Sequence, residues 1–193
     1  MSKDLGPAGA SGGPAAASAR RKAVAHHEAG HAVAAFYFDH AIESVTIKPG
    51  EDFAGSSISS PDFGRGFDPE VDVDAAQYVK MLEDIVVCFA GHEAEAAYRG
   101  RRNWHGSTTD FGIAADLALY LSRGSEEASA LLRWRKLVAR GLVKAHTREI
   151  AAVASALLAR GTLAGDDVRE TIRIALGIPA LEELPSPSGG TTQ

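Results

Sequence analysis

With only one cysteine among its 193 residues, the chain can form no intrachain disulfide. That residue, Cys88, falls in the apolar run Ile85-Val86-Val87-Cys88-Phe89-Ala90. It reads as a packed core thiol and suits a reducing compartment. Long apolar runs are missing too. No stretch approaches the ~20 apolar residues that a membrane helix needs, which argues against membrane insertion. The uncharged segment Leu5–Ala19 is rich in Gly, Pro, Ala and Ser rather than apolar, so it lacks the core of a signal peptide. These absences together predict a cytoplasmic protein. There is no excess of positive charge: the formal net charge is -5, which gives no electrostatic reason to expect nucleic acid as a partner. The basic groups Arg99, Arg101, Arg102 and Arg133, Arg135, Lys136 read as solvated helix faces or helix ends. No G-x-x-x-x-G-K-[ST] loop occurs, so nothing in the sequence binds and hydrolyses ATP in the usual way.

What is present is mostly helical pattern. Residues 1–18 have the composition of a disordered arm and residues 181–193 that of a disordered tail, leaving one domain over 19–180. A first helix is expected from about Ser18 to Phe38. Strands follow at Ile42–Lys48 and Phe53–Ser59, parted by the turn Pro49-Gly50-Glu51-Asp52. Asp68 and Pro69 read as the cap and first residue of a second, buried helix ending near Tyr98, with Gly100 beyond. A third helix runs from near Ser107 to Gly124. A long fourth carries Leu131, Trp134, Val138, Leu142 and Ala145 at helical spacing, with a bend at Gly141 and an end at Gly161. Trp134 in that stripe reads as core. The last helix spans Asp166/Asp167 to Gly177.

The segment that carries chemistry is His27-Glu28-Ala29-Gly30-His31, an H-E-x-x-H pattern inside the first helix. Residues four apart share one helix face. With ~6 Å of rise between them, two imidazoles can reach one metal ion. Glu28, turned ~100° around the axis, stands beside such an ion, where a carboxylate can take a proton from the attacking water. The setting favours a metal site over two ordinary histidines. The motif is flanked by small residues (Ala25, Ala29, Ala32, Ala34, Ala35), and Gly30 inside a helix predicts close approach of another backbone. His26 is a bystander, because Gly30 stands four residues on. His92-Glu93 is no second motif, because Ala96 occupies the position where a histidine is required.

A catalytic zinc site takes three protein ligands and keeps one position open. The metzincin continuation is excluded by Ala34 and Tyr37, which stand where a glycine and a third histidine would be. The residues left for the third ligand are acidic: Glu93, Glu95, Asp110 and Asp116. Periodicity does not choose among them.

Further motifs do. In order along the chain stand His27-Glu28-Ala29-Gly30-His31-Ala32, Val45-Thr46-Ile47 with Pro49, Gly91 with Ala94-Glu95, Asp110-Phe111 with Ala114, Leu117 and Ala118, and Leu157-Leu158 with Thr162-Leu163 and Gly165. Over roughly residues 20–180 this series resembles the peptidase domain of FtsH-type AAA proteases. The resemblance implies a mostly α (α+β) fold, a helical zinc-peptidase domain with a small hairpin or sheet after the H-E-x-x-H helix. It implies Zn2+ held by His27, His31 and Asp110, with Glu28 as general base. Ser107-Thr108-Thr109-Asp110 also reads as a capping box, and one carboxylate can serve both roles. Glu95, and less so Glu93, is placed to orient a ligand histidine.

The segment Ala54-Gly55-Ser56-Ser57 is similar to the family's cleft-edge strand, which would pair with an extended polypeptide substrate; its other reading is a surface loop. The sequence departs from the family at His92 and Glu93, which replace Arg and Ala, and it has no counterpart of the ATPase module or membrane anchor. An ATPase partner acting in trans is therefore one expectation. The expected activity is a zinc metalloendopeptidase acting on flexible segments without ATP. Its rivals are a zinc-binding structural or adaptor domain and a regulatory peptidase with one dedicated target. Nothing in the sequence sets the oligomeric state.

Overall fold

The computed structural model describes residues 13–48, 57–58, 74–100 and 108–178. Among them are six helices and three short strands, a mostly helical domain with a small sheet, as the sequence predicts. No described helix is long and apolar enough to cross a membrane.

Helix α1 (Pro14–Tyr37) opens four residues before Ser18, because Ala15, Ala16 and Ala17 are strong helix formers and Pro14 suits the first turn. Its second half is buried on every side, from His27 through Ala35. The chain leaves α1 through Phe38 and Asp39, the latter with φ 55. It then enters β1 (Ile42–Thr46), the middle strand of a sheet ordered β2-β1-β3, with β2 (Ser57–Ile58) and β3 (Thr162–Ala164) both antiparallel to it. Val45 pairs with Leu163 and Thr46 with Thr162, while Ile42 pairs with Ile58. Strand β3 was not expected. Three residues are too few to show a period, and their strand geometry comes from pairing with β1.

Helix α2 (Ala75–Arg99) starts later than the Asp68–Pro69 signal suggested, and those two residues lie outside the described ones. The cap is Asp74: its Oδ1 accepts from the Gln77 amide at 2.7 Å, and Gln77 Oε1 accepts from the Asp74 amide at 3.1 Å. Gly100, at φ 67, closes the helix where expected.

Helix α3 (Thr108–Tyr120) is followed by α4 (Ser125–Ala145) and α5 (Thr147–Arg160), which replace the single long helix expected. The break is at His146 (φ -113, ψ 32), and the helix passes through Gly141 uninterrupted. Local bonds hold this break. Thr147 Oγ1 donates back to the carbonyls of Val143 and Lys144, and His146 stacks on Tyr37 with centroids 3.7 Å apart. Leu131, Val138 and Leu142 of the expected stripe pack against the core, but Trp134 is 55% exposed and is not part of it; the fully buried residues of α4 are Ala128, Ala139 and Val143. Helix α6 (Gly165–Leu176) ends at Gly177, φ 72.

Two apolar clusters result. One joins α1, β1, α5 and α6 through Ala32, Val45, Val153, Leu157 and Ile172; the other joins α2, α3 and α4 through Ile85, Phe89, Ala114 and Ala139. Helices α1 and α2 meet at Gly30. A Cβ there would stand 2.6 Å from the Ala90 carbonyl oxygen and 2.9 Å from the Gly91 Cα. Since backbone cannot yield as a side chain can, Gly30→Ala should lower unfolding free energy by about 1–3 kcal/mol, despite the ~1 kcal/mol that alanine gains in helix propensity. Urea titration checks this, and a variant as stable as the parent would contradict so close an approach.

Candidate metal centre

Helix α1 sets His27 and His31 on the face turned toward α2, and the first turn of α3 brings Asp110 across to them. Their nearest atoms form a small triangle. The two Nε2 atoms are 3.0 Å apart, and Asp110 Oδ2 lies 3.2 Å from His27 Nε2 and 3.5 Å from His31 Nε2. Among the described residues, these three form a group whose ligand atoms all lie close enough to hold one ion. A tetrahedral ion with bonds of ~2.0–2.1 Å sets its ligand atoms about 3.3 Å apart. The triangle already has that size, and its donor set of two imidazoles and a carboxylate suits zinc.

Each imidazole is aimed by what its other nitrogen meets. His31 Nδ1–H donates to the Val87 carbonyl at 2.8 Å, which leaves its Nε2 lone pair facing the triangle. His27 Nδ1 lies 3.5 Å from Glu95 Oε2, and Arg99 Nε is 2.7 Å from the other Glu95 oxygen. Glu95, one of two acidic residues expected to orient a histidine, thus stands behind a ligand candidate. Glu93 turns the other way, to Arg140 on α4, at 3.0 Å. Asp116 is exposed on α3 and outside the group. His26 stacks on Tyr98 and donates Nδ1–H to the Lys22 carbonyl, away from the triangle.

Electrostatically the centre favours a cation. Burial alone would lower the His27 pKa; the hydrogen bond to Asp110, the nearby Glu95 carboxylate and the charge of Glu28 outweigh it, pushing the pKa up to about 10. In the metal-free protein a proton on His27 therefore neutralises part of the acidic surround. Asp110, which burial alone would raise, is held far below the usual carboxylate range by the hydrogen bond from His27 and by the His31 imidazole beside it. Glu28 is only 4% exposed, and its charge is among those acting on His27.

Sequence reasoning named Gly91 without giving it a task. A Cβ at Gly91 would stand 2.3 Å from His31 Nε2, so its absence is what lets the imidazole lie across α2. The signal available was a glycine in a helix interior, where it costs ~1 kcal/mol relative to alanine and so requires a reason. The residues expected to line a substrate-holding strand are only partly visible. Ser57 lies in β2 and pairs with Ser44, and β2 is an outer strand of the sheet; Gly55 and Ser56 lie outside the described residues.

No protein-family model matches the chain. A curated protein does: the ATP-dependent zinc metalloprotease FTSH 9, chloroplastic/mitochondrial, of Oryza sativa subsp. japonica is 27% identical over 175 residues. The match takes in 77% of this chain, which spans only 21% of that relative's length. It supports a distant FtsH-like relation.

Two outcomes follow from this geometry. Gly91→Ala should keep the fold, since alanine favours helix, yet weaken zinc binding by ~10–100-fold by displacing the His31 ring. Competition with a coloured chelator reads this, and unchanged affinity would mean the ring has room to spare. The second outcome concerns pH in the metal-free protein. A raised His27 pKa contributes stability that is whole below its ordinary value of 6.5 and is lost as pH rises through about 10. Asp110, lowered from 3.8, contributes above that value and is lost in acid. Denaturant titrations of the metal-free protein should therefore show stability falling from pH 6.5 toward 10. A rise over that interval would contradict a protonated His27.

Proposed function

We propose that this chain is a zinc metalloendopeptidase domain in which His27, His31 and Asp110 hold the metal and Glu28 is the general base. The observation that carries this reading is the convergence of those three donor atoms at metal-ligand separations, one helical step from a buried glutamate. Zinc, when bound there, supplies a Lewis acid that polarises a scissile carbonyl and acidifies water toward pKa ~7. The protein's own residues do the rest. The Glu28 carboxylate accepts the proton of the attacking water and later delivers it to the leaving amine, one group serving as base and then acid. Val87 and Glu95 keep the two imidazoles turned so that Nε2 of each faces Asp110.

The substrate class proposed is extended polypeptide, laid along the outer edge of β2 by main-chain pairing. Without a phosphate-binding loop in this sequence, the domain acts on segments that are already flexible, because folded proteins, stable by ~5–15 kcal/mol, seldom expose their chains. An ATPase acting in trans would extend its reach to folded substrates. The rival reading, a structural zinc domain, has no use for a buried acid at position 28.

Glu28→Gln separates the two. The variant should keep its zinc and fold but cleave casein ~10²–10⁴-fold more slowly than the parent, and the parent's rate should be the same with and without ATP. Equal cleavage by variant and parent would remove Glu28 from the mechanism. Undetectable cleavage by a zinc-loaded parent would favour the structural reading.

A further inference from the structure

Asp110 reaches the centre from the first turn of α3, and among the described residues little around that turn is buried. Thr109, Gly112 and Ile113 are exposed, the Asp110 side chain is 25% exposed, and the next fully buried residue is Ala114, a turn further on. Phe111 is the exception. Its ring centre lies 5.6 Å from that of Phe89 and 5.1 Å from that of His92, both on α2, with His92 meeting it edge to face. From α4, Lys136 Nζ lies 5.5 Å from the same centroid and 5.7 Å from that of Phe89, within cation–π range of both rings. Two helices thus grip the one ring in the first turn. The turn of α2 that does so also contains Gly91, which clears space for His31.

We infer that Phe111 is a positioning residue for the metal centre, acting through Asp110. It is not in the ligand group itself. Helix starts fray unless tied down, and a binding constellation tolerates only ~0.5 Å of misplacement. Wedged among Phe89, His92 and Lys136, the ring holds the backbone of the neighbouring residue so that the carboxylate oxygen stays near both imidazoles. Removing the ring leaves Ala114 as the nearest buried anchor and frees the turn that carries Asp110. This inference rests on the reading of Asp110 as a metal ligand.

The test is a double-mutant cycle read by zinc affinity in chelator competition, using the parent, Phe111→Ala, Asp110→Ala and the double variant. Circular dichroism verifies folding, and cobalt absorption reports the coordination sphere. Phe111→Ala should weaken zinc by ~10–100-fold and shift the cobalt spectrum toward that of Asp110→Ala. In the Asp110→Ala background the same change should weaken zinc less than about two-fold. Should Phe111→Ala not fold, Phe111→Leu takes its place, with a smaller loss, again present only when Asp110 is present. Equal losses in both backgrounds, or none in the parent, would overturn the inference while leaving Asp110 a ligand. Zinc affinity unchanged in Asp110→Ala alone would instead overturn the ligand reading, and this inference with it.

Discussion

Helices α1 and α2 touch backbone to backbone at Gly30, where even one added methyl carbon would stand 2.6 Å from a carbonyl oxygen. Everything at the centre depends on that contact. Interiors are packed as densely as organic crystals, so an axis displaced by a side chain's width would be displaced at every neighbouring position. The His31 imidazole needs the Val87 carbonyl at 2.8 Å and needs Gly91 beneath it. His27 needs Glu95 behind it. Each of these partners is on α2, and α2 in turn supports α3 through Phe89 and Ile85 against Ala114 and Ala118. The small residues flanking the motif let two long helices approach closely enough for side chains on one to be oriented by the other.

That closeness has an electrostatic cost. Glu28, His27, His31 and Glu95 are all buried, and Asp110 mostly so. Unpaired ionised groups in such surroundings are costly. In the metal-free protein the carboxylates of Asp110, Glu95 and Glu28 offset the cost by favouring a protonated His27, which raises its pKa to about 10. On the proposed reading a divalent ion replaces that proton and neutralises more charge, so metal affinity depends on pH.

How much of this was legible in the sequence varied with the range of the interaction. The H-E-x-x-H spacing has its meaning within one helical turn, and α1 places His27 and His31 together as the period requires. Gly30 predicted a close approach, and one is there. Asp110 was different: four acidic residues were open on periodicity, and only the family resemblance carried by an ordered series of weak motifs implied one of them. Its position in space depends on how α3 docks, which no local pattern encodes. Trp134 misled because helical spacing identifies a face without saying whether another element covers it; that stripe is left partly bare. The His146 break was invisible for a similar reason, since the Tyr37 ring that stacks there lies on another helix. Asp68 and Pro69 made a better textual cap than Asp74, but Asp74 has Gln77 three residues on to complete the reciprocal pair.

The separation of His27 and Asp110 along the chain, 83 residues, has a thermodynamic consequence. Closing a loop of that length in a disordered polymer costs about 4–5 kcal/mol of chain entropy in the usual cross-link treatment. An unfolded chain that offers an ion only the adjacent pair on α1 must meet this cost before adding the distant carboxylate; the folded chain has met it already through its apolar packing. An ion that engages all three groups therefore discriminates between folded and unfolded polymer, and every such ion bound shifts the population toward the folded form. In a protein with a single cysteine, a tie of this kind spans the chain as a disulfide would, and it is reversible.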